Sequence, residues 1–592
     1  MAQPPFRDIP RRGALRTGRK TMSLLLTAAL IGELGEPGSP IRIVVESERT
    51  LVAASNGVIT EIIDGDIKRS ASVANALSGF AAHPATNFLA VNAREQQILA
   101  VSAELKTSAS LSLPGLEQIA VDPASGYFVA TCKWRKSVAV VSAAPLKIMH
   151  QIELPFEPLM AVFIGESRFL VTDAFRGEAA VVNVDGTHKL LKPLWGHNIR
   201  GLLVVGDEIF VSHQKVSEIA RSEFSDVHWG MLMQNVLSRV PLKNIAAGEF
   251  AGKTVTVGEV GNGSADPSAI AKLPDGRFAV ALSGANQVVI SSLPDKSGRF
   301  WFDESPRYPT GQRPVHLAVA SDNRTLMVAN SMDHKVTIVR FPSLDQYPRN
   351  SDGRMHDRLI PETSALAVVE EPSELTAVER GRRAFFSGKL SHDSWFSCNS
   401  CHTDGHTIGF RADTLGDGNF GAAKLIPSLL GVTETAPWGW SGNFESLTDQ
   451  IRKSVETTMH GTPDEETSND ILAYLKTLKP RPVVERRSPS GQPMSDPLVI
   501  KGRELFTSRG CIECHKESTY TSDRVVNVGL TDAVGQAKFN PPSLRSISHR
   551  RVFFHDASAK SLGSALELHI NALKKKATAS ERNALREFLL SL

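Results

Sequence analysis

A loose repeat between residues 41 and 346 is the feature that most limits how this 592-residue chain can fold. Each copy has a β-branched strand, a turn with Pro, Gly, Asp or Asn, and a second strand rich in Val, Ala and Phe. Seven copies begin near residues 43, 80, 119, 161, 202, 269 and 317. Most are about 40 residues apart, the length of a four-stranded propeller blade. The repeat therefore predicts a seven-bladed β-propeller, with a two-sheet β-sandwich as the alternative.

Two copies of a Cys-x-x-Cys-His motif lie after the repeats, and they use four of the five cysteines. They are Cys398-Asn-Ser-Cys401-His402 and Cys511-Ile-Glu-Cys514-His515. One helical turn with this spacing presents two thiols to the vinyl groups of a porphyrin, and the histidine then lies beneath the iron as proximal ligand. The motifs predict two covalently bound haem c groups. A structural zinc site made from the four thiolates is the alternative.

The sequence around the two motifs is organised alike. A helical pattern precedes each motif, at 379–386 and 501–506, and an amphipathic helix follows it, at 470–478 and 585–590. This is the order of a cytochrome c domain. We therefore predict two mainly α cytochrome c domains, at 373–480 and 498–592. Proline-containing linkers are expected at 347–372 and 481–497.

A matched spacing supports duplication of these two domains. Pro427 precedes Leu447 by 20 residues, and Pro542 precedes Leu562 by 20. In this alignment Trp440 of the first domain corresponds to His555 of the second.

The sixth ligand of each iron decides whether a haem carries electrons or binds a small oxidant. His569 follows His515 by 54 residues, and Met459, with His460 beside it, follows His402 by 57 residues. We predict Met459 or His460 as the distal ligand of the first haem and His569 as that of the second. The alternative for each histidine is an exposed helix residue.

The region 374–592 resembles the bacterial di-haem cytochrome c peroxidase and MauG family. Besides the two motifs, the matching stretches are 381–391, 427–430, 440–442, 502–506, 542–545 and 554–556. The resemblance implies that the first haem is the peroxidatic site, the second transfers electrons, and Trp440 is a relay between them. The repeats are similar to YVTN-type propellers.

Two departures from the family pattern concern catalysis and calcium. The family has a catalytic glutamate just before the counterpart of Met459, and this chain has Thr458 there. Glu456, two residues further back, is the remaining candidate acid, and the missing glutamate favours an electron carrier over a peroxidase. An asparagine that helps the family to hold a bridging calcium ion is Leu425 here. Calcium is therefore a weaker expectation than the two haems.

An insertion is expected where the fifth and sixth repeats, near Leu202 and Ala269, lie 67 residues apart. It contains 212–214 (Ser-His-Gln) and 226–231 (Asp-Val-His-Trp-Gly-Met). Such a loop can touch a haem edge, a ligand or the neighbouring domain, or it can simply pack on itself.

The first 40 residues are predicted to be a leader, because an apolar run at 22–32 follows six basic residues: Arg7, Arg11, Arg12, Arg16, Arg19 and Lys20. No other apolar run reaches the roughly 18 to 20 residues that span a bilayer. A periplasmic or otherwise extracytoplasmic soluble protein is expected. A net charge of +3 does not indicate nucleic-acid binding, and it is compatible with an acidic redox partner.

Three functions agree with these features. The first is a peroxidase-like redox enzyme whose propeller recognises a substrate or partner. The second is a di-haem electron carrier with both irons six-coordinate. The third is a propeller that binds a ligand while the haems act as its electron outlet. The expected partners are a small cytochrome or cupredoxin, or a small oxidant such as peroxide.

Overall fold

The computed structural model describes residues 36, 38–292, 294–295, 297–302, 305–342, 361–369, 372–481, 496–572 and 576–592. Its N-terminal part consists of seven four-stranded antiparallel sheets, and the strand order in each sheet follows the chain. The prediction of a seven-bladed propeller is therefore confirmed, and the sandwich alternative is wrong. The blades are β1–β4 (Pro40–Val45, Thr50–Ala54, Val58–Ile63, Asp66–Ser72), β5–β8 (Gly79–His83, Asn87–Asn92, Gln97–Val101, Thr107–Ser112), β9–β12 (Leu116–Val121, Tyr127–Cys132, Ser137–Ala143, Leu146–Glu153), β13–β16 (Pro158–Phe163, Arg168–Asp173, Ala179–Asn183, His188–Leu190), β17–β20 (His197–Val205, Glu208–Val216, Met233–Pro241, Lys253–Thr256), β21–β24 (Pro267–Lys272, Phe278–Leu282, Gln287–Ile290, Arg307–Pro309) and β25–β28 (Pro314–Val319, Thr325–Asn330, Lys335–Arg340, Glu362–Ala367).

The propeller core consists of seven apolar clusters, one between each pair of neighbouring blades. The ring closes where Ile43 and Val52 of the first blade pack with Met327 and Val336 of the seventh. Second strands such as β22 are buried along their whole length, whereas the outermost strand β4 is mostly exposed. Strands covered on both faces lose the alternation of apolar and polar residues, which explains why the repeat is loose in sequence.

Both ends of the propeller extend beyond the predicted boundaries. Strand β28 pairs with β27 although it lies inside the predicted linker 347–372, so the seventh blade reaches Ala367. At the other end β1 begins at Pro40, and Glu36 forms an ion pair with Arg383 at 2.6 Å. The rest of the predicted leader, residues 1–35 and 37, lies outside the described residues.

The insertion lies within the fifth blade. Helix α1 (Phe224–His228) separates β18 from β19, and α2 (Leu242–Ala247) separates β19 from β20. The extra residues therefore extend one blade and leave the ring complete.

The C-terminal part is mainly helical. Its α-helices are α3 (Ala377–Phe385), α4 (Cys398–Cys401), α5 (Leu447–Thr457), α6 (Glu465–Leu475), α7 (Pro497–Ser508), α8 (Leu562–Ala572) and α9 (Ala579–Leu590). A two-stranded sheet joins β29 (Arg411–Ala412) to β30 (Lys424–Leu425). Single 3-10 turns lie at Lys133–Arg135 in the propeller and at Gly388–Leu390, His392–Ser394, Thr403–Gly405, Leu415–Asp417, Val432–Glu434, Cys511–Glu513 and Ile547–His549. Within the described ranges, no helix is both long and apolar enough to cross a bilayer.

Each helical unit is built on a close crossing of its first and last helices. A Cβ atom on Gly381 of α3 would lie 1.7 Å from the Asp470 carbonyl oxygen of α6. A Cβ atom on Gly502 of α7 would lie 2.0 Å from the Ala584 carbonyl oxygen of α9. Because only glycine permits such an approach, the matched pair supports two similar units. Helix α7 begins inside the predicted linker 481–497, whose residues 482–495 lie outside the described ones.

Replacing Gly502 with alanine is expected to destabilise the second helical unit by about 1–3 kcal/mol, since the new methyl group overlaps a backbone oxygen. Urea unfolding monitored by haem absorbance measures the effect. Gly563→Ala in α8 is the matched control, because its nearest neighbouring atom would be 3.8 Å away. That control should be neutral or gain up to about 1 kcal/mol from helix propensity. Equal stability of the two variants would contradict the crossing as described.

Candidate haem sites and their contact with the propeller

The first motif forms the single-turn helix α4, and Ser397 caps its N-terminus by accepting a hydrogen bond from the Ser400 amide. His402 follows directly, with its Nδ1 2.9 Å from the carbonyl oxygen of Pro427. A histidine that ligates a metal usually donates its second ring N–H to such an acceptor. Burial lowers the pKa of His402 to about 4, which keeps the imidazole neutral. The first motif is therefore arranged as a proximal haem ligand requires.

The second motif is arranged in the same way on the turn Cys511–Glu513. The His515 amide donates to the Cys511 carbonyl oxygen at 3.0 Å, and His515 Nδ1 lies 3.0 Å from the Tyr520 carbonyl oxygen. Burial lowers the pKa of His515 to about 4. Both proximal histidines thus leave Nε2 as the nitrogen that can bind iron.

His569 on α8 faces His515 across a cavity. Their ring centroids are 6.5 Å apart. Two imidazoles that share one metal through bonds of about 2 Å have centroids roughly 6 Å apart, so the pair fits bis-histidine coordination. The cavity measures about 470 Å³, and Cys511 and Cys514 line it together with both histidines. These residues fit a covalently attached haem.

The two distal candidates of the first motif point to different neighbours. Met459, 4% exposed, belongs to an apolar cluster with Phe396, and the side chains of Cys398 and Cys401 pack on that cluster. His460 instead places its Nε2 2.9 Å from the carbonyl oxygen of Ser222 in the propeller. Of the two alternatives, Met459 is the residue that shares an apolar cluster with the motif cysteines.

Glu456 lies on α5, next to the buried Val455, and is itself exposed. Thr458 contributes no carboxylate near Met459. This placement gives no support to Glu456 as an acid that transfers protons at the first haem.

Trp440 lies between the two motifs. Its Nε1 donates to the Leu425 carbonyl oxygen at 2.8 Å, and its ring lines the cavity of the second motif. The ring centroid of His555 is 6.3 Å away, in an edge-on arrangement. Trp440 and His555, which the duplication places at equivalent positions, therefore meet where the two helical units join.

The region around Leu425 is not arranged for calcium. Its neighbour Lys424 extends an ammonium group to Asp417 and Asp532, at 2.8 and 2.7 Å. A protein cation thus already pairs with both carboxylates. The alternative zinc site is unsupported as well, because within the described residues no group of three or more metal-ligand side chains includes the four motif cysteines.

The propeller holds the first motif through a buried carboxylate that sequence analysis did not single out. Asp266, just before β21, accepts hydrogen bonds from Ser397 Oγ at 2.5 Å and Ser400 Oγ at 2.7 Å. Asn198 donates to the same carboxylate at 3.1 Å. Burial raises the pKa of Asp266, against the effect of these donors. The residues that cap α4 are therefore bound directly by the propeller.

Both stretches of the insertion contribute contacts in the fifth blade. Gln214 donates to Ser400 Oγ at 3.2 Å, whereas His213 stays within the propeller, with Nε2 2.8 Å from Ser238 Oγ. The His228 carbonyl oxygen accepts from the indole N–H of Trp395 at 3.1 Å. The insertion thus meets the neighbouring domain, one of the roles predicted for it.

Trp395 is the second residue that sequence analysis missed. A Cβ atom on Gly230 or Gly258 of the propeller would lie 2.4 or 2.7 Å from its indole ring. The sequence around this tryptophan does not indicate that its side chain packs against two propeller glycines.

The second helical unit contacts the propeller through buried ion pairs. Arg551 donates to Glu157 and Asp173, both at 2.7 Å, and Lys136 lies 3.0 Å from Glu157. Burial opposes the charge of Arg551, but the adjacent Asp173 and Glu157 raise its pKa well above the usual value. Both cytochrome units are therefore fixed to the same propeller.

A seven-bladed propeller joined to two Cys-x-x-Cys-His helical units defines this chain as a multidomain c-type cytochrome. Residues 376–485 match the family model of di-haem cytochrome c peroxidase. This match confirms the resemblance seen in the sequence for the first cytochrome unit.

Two curated relatives agree with the family match. The methylamine utilization protein MauG of Methylorubrum extorquens is 24% identical over 253 residues, 34% of this chain and 71% of the relative. A cytochrome c551 peroxidase of Nitrosomonas europaea is 22% identical over 251 residues, 33% of this chain and 73% of the relative. These similarities support a peroxidase-like haem oxidoreductase that transfers electrons.

One solved structure, a chain of Kuenenia stuttgartiensis hydrazine synthase, aligns with 51% of this chain and 96% of its own length. Its TM-score is 0.44 and its sequence identity 15%, a likeness too remote to bear on fold or function.

Proposed function

We propose that this protein is a di-haem oxidoreductase that reduces a small oxidant such as peroxide with electrons from a small cytochrome or cupredoxin. Two covalently bound haem c groups supply the one-electron redox chemistry. Cys398, Cys401 and His402 would hold the first, and Cys511, Cys514 and His515 the second, with His569 as its distal ligand. Reduction of one peroxide to two waters consumes two electrons and two protons.

The position of Trp440 carries this proposal. Its indole lines the cavity of the second motif and donates to Leu425, two residues before Pro427, whose carbonyl oxygen faces His402. A single aromatic side chain and a three-residue segment therefore join the two proximal sites. This short connection suits an intramolecular electron relay.

Replacing Trp440 with phenylalanine is expected to slow electron transfer between the haems by about tenfold or more, since it removes the indole and its hydrogen bond. Stopped-flow absorbance of the reduced protein mixed with hydrogen peroxide measures the rate. Trp438→Phe is the matched control, because Trp438 also lines the cavity but donates to Val432 instead. Equal rates for the two variants would contradict the relay.

A second candidate, a non-catalytic electron carrier, is favoured by one observation at the first motif. Met459 belongs to the apolar cluster on which Cys398 and Cys401 pack, and Glu456 is exposed. A thioether is therefore available as a sixth ligand, and Glu456 is not placed as a buried proton donor. A wild-type spectrum that is fully low-spin and unchanged by peroxide or carbon monoxide would establish the carrier. A high-spin fraction that changes on addition would establish the enzyme.

The propeller is proposed to position the first haem motif and to recognise the substrate or partner protein. The Asp266 contacts with Ser397 and Ser400 support the positioning role. The third possibility is that the propeller binds a reducing ligand and that the haems accept its electrons. In that case, adding such a compound to the purified protein should reduce both haems without a partner protein.

A periplasmic location is part of the same proposal, because bacteria attach haem c outside the cytoplasm and the N-terminus resembles a leader. Cell fractionation followed by haem staining of the denatured chain tests both the location and the covalent attachment. Staining lost on denaturation would contradict thioether links.

A further inference from the structure

Three metal-ligand side chains converge where the propeller insertion meets the first cytochrome unit. His228 is the last residue of α1, and His392 and Asp393 lie in the turn just before the first haem motif. One ligand atom from each lies within 4.8 Å of the other two. None of the three belongs to either haem site described above.

The distances between the ligand atoms match a shared metal ion. His228 Nδ1 is 3.0 Å from His392 Nε2, and Asp393 Oδ2 is 3.3 Å from the first and 3.2 Å from the second. Three ligands bound to one ion through bonds of about 2.1 Å are separated by roughly 3.0–3.4 Å. All three distances between ligand atoms fall in this range.

Asp393 Oδ2 is also placed to bind a cation. The atom is buried, and within the described residues it has no hydrogen bond of acceptable geometry. A buried carboxylate oxygen without a hydrogen bond is costly unless a cation compensates it. A metal ion between the two imidazoles would do so.

Backbone contacts hold His392 and Asp393 in place. The His392 amide donates to the Met459 carbonyl oxygen at 2.8 Å, and the Asp393 carbonyl oxygen accepts from Gly263 at 2.7 Å. The Asp393 backbone has a φ of +52°, a left-handed conformation that aspartate and asparagine tolerate best among residues with side chains. Strained backbone of this kind is frequent at ligand sites.

We propose that His228, His392 and Asp393 bind one divalent transition-metal ion of the zinc type. Two imidazoles and a carboxylate suit such an ion, and three protein ligands leave a further coordination position. The side chains are 33%, 25% and 20% exposed, so an ion can reach them from solvent. The ion would fasten the insertion to the turn that precedes the first motif, beside the backbone of Met459.

The test uses the full-length, tag-free protein with both haems. It is incubated with a small excess of zinc sulfate, desalted, and analysed for zinc and iron by mass spectrometry. The wild type is expected to retain about one zinc ion per chain in addition to its two irons. His392→Ala and Asp393→Asn are each expected to lower retained zinc to below about 0.2 per chain.

Two controls keep the result unambiguous. His188→Ala removes an exposed imidazole from β16 and should leave retained zinc unchanged. Asp393→Asn preserves side-chain size and tolerates the left-handed backbone, so unaltered circular dichroism and iron content show that it has folded. A wild type that retains no more zinc than Asp393→Asn overturns the proposal and leaves only a hydrogen-bonded His-His-Asp cluster. This result is independent of the peroxide experiments.

Discussion

Replacing His569 with alanine is expected to convert the second haem from a six-coordinate, low-spin centre into a five-coordinate, high-spin one. His515 and His569 lie 6.5 Å apart between ring centroids, the spacing for two imidazoles on one iron. Alanine removes one of them and frees the volume of its imidazole for a small molecule on that side of the iron. Electron paramagnetic resonance and optical spectra of the oxidised protein measure the change, and carbon monoxide should bind the reduced variant.

The control for this experiment is His555→Leu in the same cavity. His555 stacks on Phe539 with ring centroids 3.9 Å apart. In the described part of the chain no ring contact pairs it with another histidine, so its loss should leave the spin state unchanged. If His569→Ala remains fully low-spin, another residue is the distal ligand and the pairing with His515 is wrong.

Replacing Arg551 with methionine is expected to destabilise the contact between propeller and second cytochrome unit by about 3–5 kcal/mol. The side chains of Glu157 and Asp173 have 0% exposure, and Arg551 donates to both. Methionine fills a similar volume but leaves two carboxylates with less compensating charge. Lys136 and His549 still face Glu157. Asp173 is therefore the carboxylate most affected by the loss of Arg551.

Urea unfolding followed by tryptophan fluorescence, together with limited proteolysis between the domains, measures this effect. Arg168→Met is the matched control, because its ion pair with Glu166 is on the surface and should contribute less than about 1 kcal/mol. The double variant Arg551→Met, Asp173→Asn is expected to recover part of the stability, since it removes one of the stranded charges. A loss below about 1 kcal/mol in the single variant would show that the network does not hold the domains together.

Local patterns in the sequence were sufficient for much of the architecture. The period of about 40 residues depends on strands and turns that are close in the chain, so it predicts blades without knowledge of their packing. The first and last helices of each cytochrome unit were predicted within a few residues, because amphipathic periodicity is also local. Strand β28 lies inside the predicted linker 347–372. Its sequence gives only a weak strand pattern, and the strand forms by pairing with β27.

The distal ligands show where local patterns are insufficient. Spacing alone left Met459 and His460 as equal alternatives, because they are neighbours in the chain. Tertiary packing separates them: the Met459 side chain belongs to the apolar cluster on which Cys398 and Cys401 pack, whereas His460 contacts Ser222 in the propeller. Exposure of Glu456 likewise depends on which face of α5 is covered.

By itself, the sequence determined the two Cys-x-x-Cys-His motifs, the duplication and the number of blades, and it predicted the proximal histidines, because each of these depends on residues close together along the chain. Only the tertiary structure decided how the propeller holds the first motif through Asp266 and Trp395, how Trp440 meets His555, and how His228 reaches His392 and Asp393. Those contacts join residues more than a hundred positions apart or from separate domains. No local pattern encodes them, since they arise only when three folded units pack together.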